Sequence, residues 1–305
     1  MDELQSIKAL ETLSLELIKV KNSREYVLGK KICRFISEIR QFKFILQLKR
    51  FVKNRKIKKI RETFVQENVS QDEWQKQLKI GPQDKKVIIY SCITGGYDDP
   101  VEPLFHSANI EYAMFTDSAK HSVPGWTYLG IPQKIQESSK HYQNRYIKMH
   151  PFELFPNADY ACYIDGNVCP VSDLSIYVEQ ISPTAGIAMH KHSTRDCIYE
   201  ELKACLALKK GNAQQLVKQI NQYRKDGFPE RYGMLECNVI VVDLHNEIAK
   251  KIFEDWWAEQ EKWGSMRDQI ALPYVLWKNN IAIGSVAKLG QSVYRNPKVT
   301  IKEHL

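Results

Sequence analysis

One aspartate lies between an apolar run and a glycine in the segment DYACYIDGNVCP, residues 159–170. The apolar run indicates a buried strand that ends at Asp165. A carboxylate at a strand end, with space at Gly166 and an amide oxygen at Asn167, suits a hard cation such as Mg²⁺ or Mn²⁺. Such a cation completes its shell with phosphate oxygens and water, so the segment predicts a metal and diphosphate site. An ordinary Asp-Gly turn fits the same residues.

Two earlier predicted strands end on groups that can hold a nucleoside. The first, residues 87–93, leads into Thr94, Gly95 and Tyr97 within the sequence TGGYDD, where two glycines let the backbone approach a ligand. Neither a P-loop nor a dinucleotide fingerprint is present there. The second ends at Asp117, whose carboxylate can accept a hydrogen bond from a ribose hydroxyl or a base N–H. The alternatives are a plain glycine turn and a helix N-cap.

A predicted helix at residues 143–155 and the turn before it carry basic side chains. His141, Arg145 and Lys148 are four and three residues apart, so they share one helical face. That face can bind diphosphate oxygens. A solvated basic face explains the same spacing equally well.

Two histidines alternate along a predicted strand at residues 184–192, so they point to the same side. His192 is a candidate metal ligand, whereas a packing or hydrogen-bonding role is favoured for His190. Arg195, three residues after His192, is a candidate anion contact.

A predicted strand and a predicted helix later in the chain each begin with a carboxylate that is suited to catalysis. Glu236 opens a predicted strand after a loop that contains a glycine, and can line a sugar pocket. Arg267, Asp268 and Gln269 open a predicted helix, which brings free N–H groups, a carboxylate and a guanidinium together. Capping alone explains Asp268 but not the three residues as a group.

Strands alternate with helices after residue 86, which predicts an α/β fold with a mostly parallel sheet flanked by helices. Ligands bind outside the carboxyl ends of such strands, where the residues above lie. The predicted strands are residues 87–93, 110–117, 159–165, 184–192, 235–244 and 281–287, and the predicted helices are residues 143–155, 195–210, 245–263 and 267–280.

The N-terminal quarter has a different composition. Residues 1–80 hold 19 lysines and arginines against 10 acidic residues, whereas the remainder holds 25 against 26. Because the main part is nearly neutral, we expect no nucleic-acid partner. Residues 1–83 are predicted to form a basic helical extension, with a boundary at the sequence GPQD. The extension either packs on the main domain or a second copy, giving a homo-oligomer, or binds anionic lipid through residues 31–61.

Cysteine usage and hydropathy indicate a cytoplasmic protein, peripheral on the inner face of the membrane if the extension binds lipid. The seven cysteines form no CxxC pair, so neither a disulfide framework nor a zinc site is expected. The N-terminus does not resemble a signal peptide, and no run of 18 apolar residues is present.

The order of the motifs resembles that of a known family, the glycosyltransferase-like domain of bacterial polysaccharide loci and of plant proteins described as hexosyltransferase-like or ceramidase-like. The resemblance covers about residues 86–290 and rests on TGGYDD, FTD, QNRYIK, YIDGN, HKHSTRDCIYEE, LECNVIVV and RDQ. It implies that residues 84–305 form a GT-A-like nucleotide-binding domain with a DxD-type metal motif. Asp165 and Asn167 take the first and third positions of that motif, so an amide replaces the second acid. Asp268 and Gln269 resemble the Asp-Gln pair near the anomeric carbon in retaining galactosyl- and glucosyltransferases.

The resemblance implies a hexosyltransferase that uses a nucleotide sugar, with a UDP-sugar as the expected donor and Mn²⁺ or Mg²⁺ as the cofactor. The acceptor would be a saccharide or a lipid-linked molecule in surface polysaccharide synthesis. Two other classes stay open: a metal-dependent lipid amide hydrolase and a non-catalytic polysaccharide assembly factor. The expected ligands of the cation are Asp165, Asn167 and His192. The nucleotide sugar would contact Thr94, Gly95, Tyr97, Asp117, Arg145, Lys148, Asp165, Arg195 and Arg267, and the catalytic residues would be Glu236, Asp268 and Gln269.

Overall fold

The computed structural model describes residues 3–31, 81–118 and 122–302, with side chains from residue 11 onward. The strands are β1 Val87–Ile93, β2 Ile110–Thr116, β3 Thr127–Gly130, β4 Tyr160–Ile164, β5 Val168–Pro170, β6 Ile187–Lys191, β7 Leu235–Asp243 and β8 Val299–Ile301. A six-stranded sheet has the order β3-β2-β1-β4-β7-β6, and β5 pairs with β8 in a second sheet of two strands.

Helices flank the sheet, as predicted. They are α1 Glu3–Asn22, α2 Lys140–Met149, α3 Pro151–Leu154, α4 Ile198–Leu208, α5 Ala213–Lys225, α6 Glu247–Trp263, α7 Asp268–Lys278 and α8 Ile283–Val286, and residues 24–31 are also helical. None of the helices described is both long and apolar enough to cross a membrane.

Two sequence predictions need correction. The predicted helix at residues 143–155 is divided, because Pro151 has no N–H to continue α2 and instead starts α3. The strand predicted at residues 281–287 is wrong, since this segment forms the helical turn α8. There the Ser285 backbone N–H donates to the Ala282 carbonyl at 3.0 Å and the Ser285 hydroxyl donates to the same oxygen at 2.7 Å.

Strand direction explains how the sheet assembles one polar edge. β3, β2, β1 and β4 are parallel to one another, whereas β7 runs antiparallel to both β4 and β6. The prediction of a mostly parallel sheet is therefore confirmed. Because β7 is reversed, it begins where the other strands end. The Asp165 N–H donates to the Asn238 carbonyl at 2.9 Å, so the start of β7 lies beside the end of β4.

Apolar side chains cover both faces of the sheet. Along β1, Ile88 and Tyr90 face one hydrophobic cluster, and Val87 and Ile89 face the other. Strands that are buried on both faces are typical of α/β proteins. A polar ligand would therefore meet polar side chains of the sheet at the strand ends.

Helix α1 is bound to the C-terminal segment by polar contacts at the surface of the main domain. The buried Glu11 carboxylate lies 2.6 Å from the Lys298 ammonium, and the Ser172 hydroxyl also contacts Glu11. Lys21 Nζ donates to the Ile301 carbonyl at 3.3 Å. The first helix of the extension therefore packs against the domain that follows it. The lipid-binding segment predicted at residues 31–61 lies outside the described residues beyond Lys31.

We expect Glu11→Ala to lower the free energy of unfolding by about 3–5 kcal/mol, because it leaves the Lys298 charge buried without its closest carboxylate. Lys298 is 0% exposed, so water cannot replace the lost partner. Urea unfolding measures the effect, with Glu16→Ala as the matched control at an exposed position of the same helix. Equal free energies of unfolding for the two variants would contradict the buried ion pair.

Candidate active site

One edge of the sheet gathers residues from five strands. Thr94 follows β1, Asp117 follows β2, Asp165 follows β4, and His192 follows β6, while Glu236 is the second residue of β7. Helix α2 and the start of α7 complete the edge, because they carry the basic residues and Asp268 that contact these strand ends. The structure thus brings the predicted residues to one side of the molecule.

The first group at this edge is centred on Asp117. Both of its carboxylate oxygens accept the Gly95 N–H, at 3.1 and 3.0 Å, and Lys140 Nζ lies 3.0 Å from Oδ2. Burial opposes ionisation, but the contacts with Lys140 and Gly95 prevail and lower the pKa of Asp117. Asp117 is therefore an anchored anion whose remaining lone pairs can accept a ligand's N–H or O–H.

Lys140 was not predicted from the sequence. It is the first residue of α2, where a positive charge is unfavourable because the helix N-terminus is itself positive. That unfavourable position is the signal that could have identified it. The Thr94 hydroxyl donates to the Lys140 carbonyl at 2.9 Å and fixes the start of the helix beside the glycine turn.

The glycine turn has the backbone that its sequence predicts. Gly95 and Gly96 have φ values of +68° and +64°, in the left-handed region that favours glycine. A Cβ at Gly95 would also come within 3.1 Å of the Lys140 side chain. Tyr97, two residues after Gly95 in this turn, is 67% exposed.

The second group is centred on Lys148, which lies between two carboxylates. Its Nζ is 2.7 Å from Asp268 Oδ2 and 3.5 Å from Asp165 Oδ1. Arg145 Nε is 3.6 Å from the same Asp268 oxygen. Lys148 and Asp268 are almost fully buried, whereas the Asp165 side chain is 36% exposed. Asp165 is therefore the accessible carboxylate of this group.

Asp268 is held ionised by its neighbours. Burial opposes the charge, but Arg145, Lys148 and Arg267 together keep the pKa of Asp268 well below its usual range. The Gln269 N–H also donates to Asp268 Oδ1 at 3.0 Å. A carboxylate with so low a pKa is a weak base. The expected role of Asp268 is therefore to hold the neighbouring cations in position.

The third group joins two arginines through a buried acid, Glu201, that the sequence analysis did not select. Arg195 Nε lies 2.5 Å from Glu201 Oε2, and Arg267 Nη2 lies 3.4 Å from Oε1. Arg267 also reaches Gln269 Oε1 at 3.5 Å. Glu201 lies in the first turn of α4, where an acid is explained by the helix dipole alone, and this hid its role.

Glu236 is buried and accepts hydrogen bonds from two loops. Its oxygens accept the Ser292 hydroxyl at 3.0 and 3.2 Å, the Val293 N–H at 2.9 Å and the Ser193 N–H at 3.3 Å. Burial nevertheless raises the pKa of Glu236. Its catalytic role stays a prediction, and in this structure it fixes the loops that flank the edge.

The fit to a divalent cation rests on Asp165. His192 Nδ1 accepts the N–H groups of Thr194 and Arg195, and Nε2 lies 3.4 Å from Arg195 Nη2, so both ring nitrogens already have polar neighbours within the chain. Burial lowers the pKa of His192 to about 4, which keeps the ring neutral. The Asn167 amide donates to the Lys302 carbonyl at 3.0 Å. Among the described residues, no three His, Cys, Asp or Glu side chains form a metal-binding group.

The residues present therefore fit a cation that is held by Asp165 and completed by phosphate oxygens and water, the arrangement that Mg²⁺ favours. They do not fit a site in which His192, as placed here, is a ligand. His190, for which the sequence favours a packing or hydrogen-bonding role, is buried, and its Nε2 lies 2.9 Å from the Asn296 amide nitrogen.

Together with Glu236, the three groups hold as many acidic as basic side chains. The cations are Lys140, Arg145, Lys148, Arg195 and Arg267, and the acids are Asp117, Asp165, Glu201, Glu236 and Asp268. A bound diphosphate would add negative charge to this balanced edge. A divalent cation beside Asp165 would offset that charge.

Comparison with known proteins places the chain in a family. The model of the family described as "TOD1/MUCI70, glycosyltransferase-like domain" matches residues 48–299, so the match begins inside the predicted N-terminal extension. No curated protein matches the chain in sequence.

Solved structures show distant likenesses. The bifunctional glycosyltransferase WbbM is 12% identical with a TM-score of 0.39, over 63% of this chain and 37% of that one. The galactosyltransferase LgtC, in complex with donor and acceptor sugar analogues, is 12% identical with a TM-score of 0.35, over 62% of this chain and 69% of that one. Mouse xyloside xylosyltransferase 1 is 7% identical with a TM-score of 0.40, over 66% of this chain and 83% of that one. At these TM-scores the likenesses say nothing about this chain's substrates.

Proposed function

Because the chain belongs to the TOD1/MUCI70 glycosyltransferase-like domain family, we propose that it transfers a hexose-type sugar from a nucleotide-diphosphate donor to a saccharide or lipid-linked acceptor. The proposed donor is a UDP-sugar, and the proposed setting is surface polysaccharide synthesis on the cytoplasmic side of the membrane. The observation that carries the proposal is the accessible Asp165 beside Lys148 and Asp268, at an edge whose charges balance.

The nucleoside would bind at the glycine turn. Asp117 is fixed by Gly95 and Lys140, and a carboxylate has about four acceptor positions, so it can still receive a hydrogen bond from the base or ribose. The exposed Tyr97 ring offers a surface on which the base can stack. Thr94 keeps the turn beside α2 through its bond to Lys140.

The diphosphate would lie between the nucleoside and Asp165. Arg145 and Lys148 would provide buried positive charge, and the guanidinium groups of Arg195 and Arg267, held by Glu201, would add to it. When bound, Mn²⁺ or Mg²⁺ would neutralise the charge of the departing diphosphate, with Asp165 as its protein ligand.

The acceptor hydroxyl would attack near Glu236, Asp268 and Gln269. Of the two carboxylates, Glu236 is the better matched base, because its pKa is raised by burial whereas that of Asp268 is strongly lowered. An inverting reaction would therefore use Glu236. In a retaining reaction the leaving phosphate would take the proton, and Asp268 with Gln269 would position the anomeric carbon.

Thermal-shift measurements with UDP, GDP and CMP, each with and without Mn²⁺, test the proposal. We expect one nucleotide, UDP, to raise the melting temperature, and Mn²⁺ to increase that rise. Stabilisation by Mn²⁺ alone would instead indicate a metal-dependent hydrolase. No stabilisation under any of these conditions would indicate a non-catalytic factor.

A further inference from the structure

A groove of about 460 Å³ lies between helix α1 and the C-terminal strand, and it reaches the loop that carries Asp165. Leu17, Ile18 and Lys21 line it from α1, and Ile301 and Lys302 line it from β8 and the residue after it. A groove of this volume is within the range of small-ligand sites.

Two residues connect the groove to the candidate active site. Asn167 lines the groove and is two residues from Asp165 in a tight turn, where the Val168 N–H donates to the Asp165 carbonyl at 2.9 Å. Tyr294 also lines the groove, and its backbone N–H donates at 3.3 Å to the Ser292 hydroxyl, which in turn donates to Glu236 at 3.0 Å. A molecule in the groove would therefore have one end beside the residues proposed to hold the donor.

The groove combines an apolar wall with positive charge. Its apolar surface comes from Leu17, Ile18 and Ile301, together with residues 293 and 299. Its charged side chains are Lys21, Lys30 and Lys302, and no carboxylate is among the described residues that line it. Lys21 Nζ donates to the Ile301 carbonyl, a neutral group that leaves the lysine charge uncompensated at that contact.

We propose that this groove binds the acceptor, and that the acceptor is a sugar linked to a lipid phosphate. The phosphate contacts Lys21 and Lys302, and the hydrocarbon chain lies along Leu17, Ile18 and Ile301. The linked sugar reaches Asn167 and Tyr294, where its hydroxyl oxygen forms the new bond to the donor's anomeric carbon as the bond from that carbon to the nucleoside diphosphate breaks. A neutral saccharide would bring no negative charge to Lys21 and Lys302, and a free phosphate would leave the apolar wall exposed. The proposal rests on the proposed transferase function.

This assignment gives α1 a role in the reaction. The buried pair of Glu11 and Lys298 holds α1 against the strand that forms the other wall of the groove. The N-terminal helix would then bind the acceptor, while the strand ends bind the donor.

Calorimetry with decyl phosphate, below its micelle concentration, tests the groove directly. We expect decyl phosphate to bind the full chain, and Lys21→Glu and Lys302→Glu each to weaken binding at least tenfold. The Lys302 side chain is exposed, and its bonds to Asn167 come from the backbone, so its substitution should preserve the fold. Lys19→Glu is the matched control, because it makes the same charge change on the same helix outside the groove.

The proposal would be overturned by an equal loss of decyl phosphate binding in Lys19→Glu, by equal affinity for decyl maltoside, which is neutral, or by equal affinity for inorganic phosphate, which has no chain. Binding of UDP is measured in the same variants and should be unchanged. If the unaltered chain binds decyl phosphate but not UDP, the transferase function fails while the groove stands. If it binds UDP but not decyl phosphate, only the groove assignment fails.

Discussion

Replacing Lys148 with methionine is expected to lower the rate of UDP release from a UDP-sugar by roughly 10²–10³-fold, the loss typical when one charge-stabilising group is removed from an active site. Lys148 Nζ is 2.7 Å from Asp268 and 3.5 Å from Asp165. Without it, the two carboxylates would keep only the guanidinium groups of Arg145 and Arg267 nearby, and the edge would carry an excess negative charge. UDP release from UDP-glucose and UDP-galactose, together with calorimetric UDP affinity, measures the effect.

Two further variants separate this effect from misfolding. Lys148→Met leaves Asp268 buried with one fewer cation, which can destabilise the fold. The double variant Lys148→Met with Asp268→Asn restores the charge balance and should recover stability but not turnover. Lys134→Met is the control: it removes a surface lysine that pairs with Glu153, and it should change neither the stability nor the turnover. A folded Lys148→Met variant with normal turnover and UDP affinity would contradict the proposed role.

Asp165→Asn should abolish the gain in UDP affinity that Mn²⁺ provides. The change keeps the shape of the side chain but removes the accessible carboxylate near Lys148, and the Asp268 carboxylate that remains is buried and paired with Lys148. Affinity for UDP without metal should stay the same or increase, because the edge loses a negative charge. Calorimetric titration of UDP with and without Mn²⁺ gives both values.

The control for this variant lies at the other end of the same strand. Asp159, which precedes β4, accepts the Lys86 N–H at 2.8 Å, far along the strand from Asp165. Asp159→Asn should keep the full Mn²⁺ effect. If Asp165→Asn also keeps it, the cation is not held where we propose.

Local sequence was sufficient to predict where the polar edge would form. Asp117 and Asp165 each end an apolar run, and such a run predicts a strand whose end meets the edge of a parallel sheet. The family predicted from the motif order is confirmed, as is the α/β fold. Both predictions depend on patterns within a few residues or on the order of motifs.

Contacts between distant residues could not be predicted in this way. Lys148 and Asp268 are 120 residues apart, and nothing local shows that they form an ion pair. Lys148 was expected to contact diphosphate oxygens directly, whereas its nearest partner here is a buried carboxylate. The contact of Glu201 with Arg267, 66 residues further along the chain, could not be predicted for the same reason.

Two missed elements have different causes. Helix α5 is rich in polar residues, but Leu216, Ile220 and Tyr223 recur at helical spacing and are buried, so the pattern was present in the sequence. Strand β3 has four residues, none of them buried, and forms the sheet edge by pairing with β2. A strand so short and exposed has no apolar run from which to predict it.

The most direct test of the central claim is a crystal structure of the chain with UDP and Mn²⁺, in which anomalous scattering locates the manganese. We predict a peak within coordination distance, roughly 2.0–2.5 Å, of an Asp165 oxygen. The diphosphate should lie against Arg145 and Lys148, with the base near Asp117. A diphosphate bound away from Lys148, or a manganese ion coordinated without Asp165, would contradict the account.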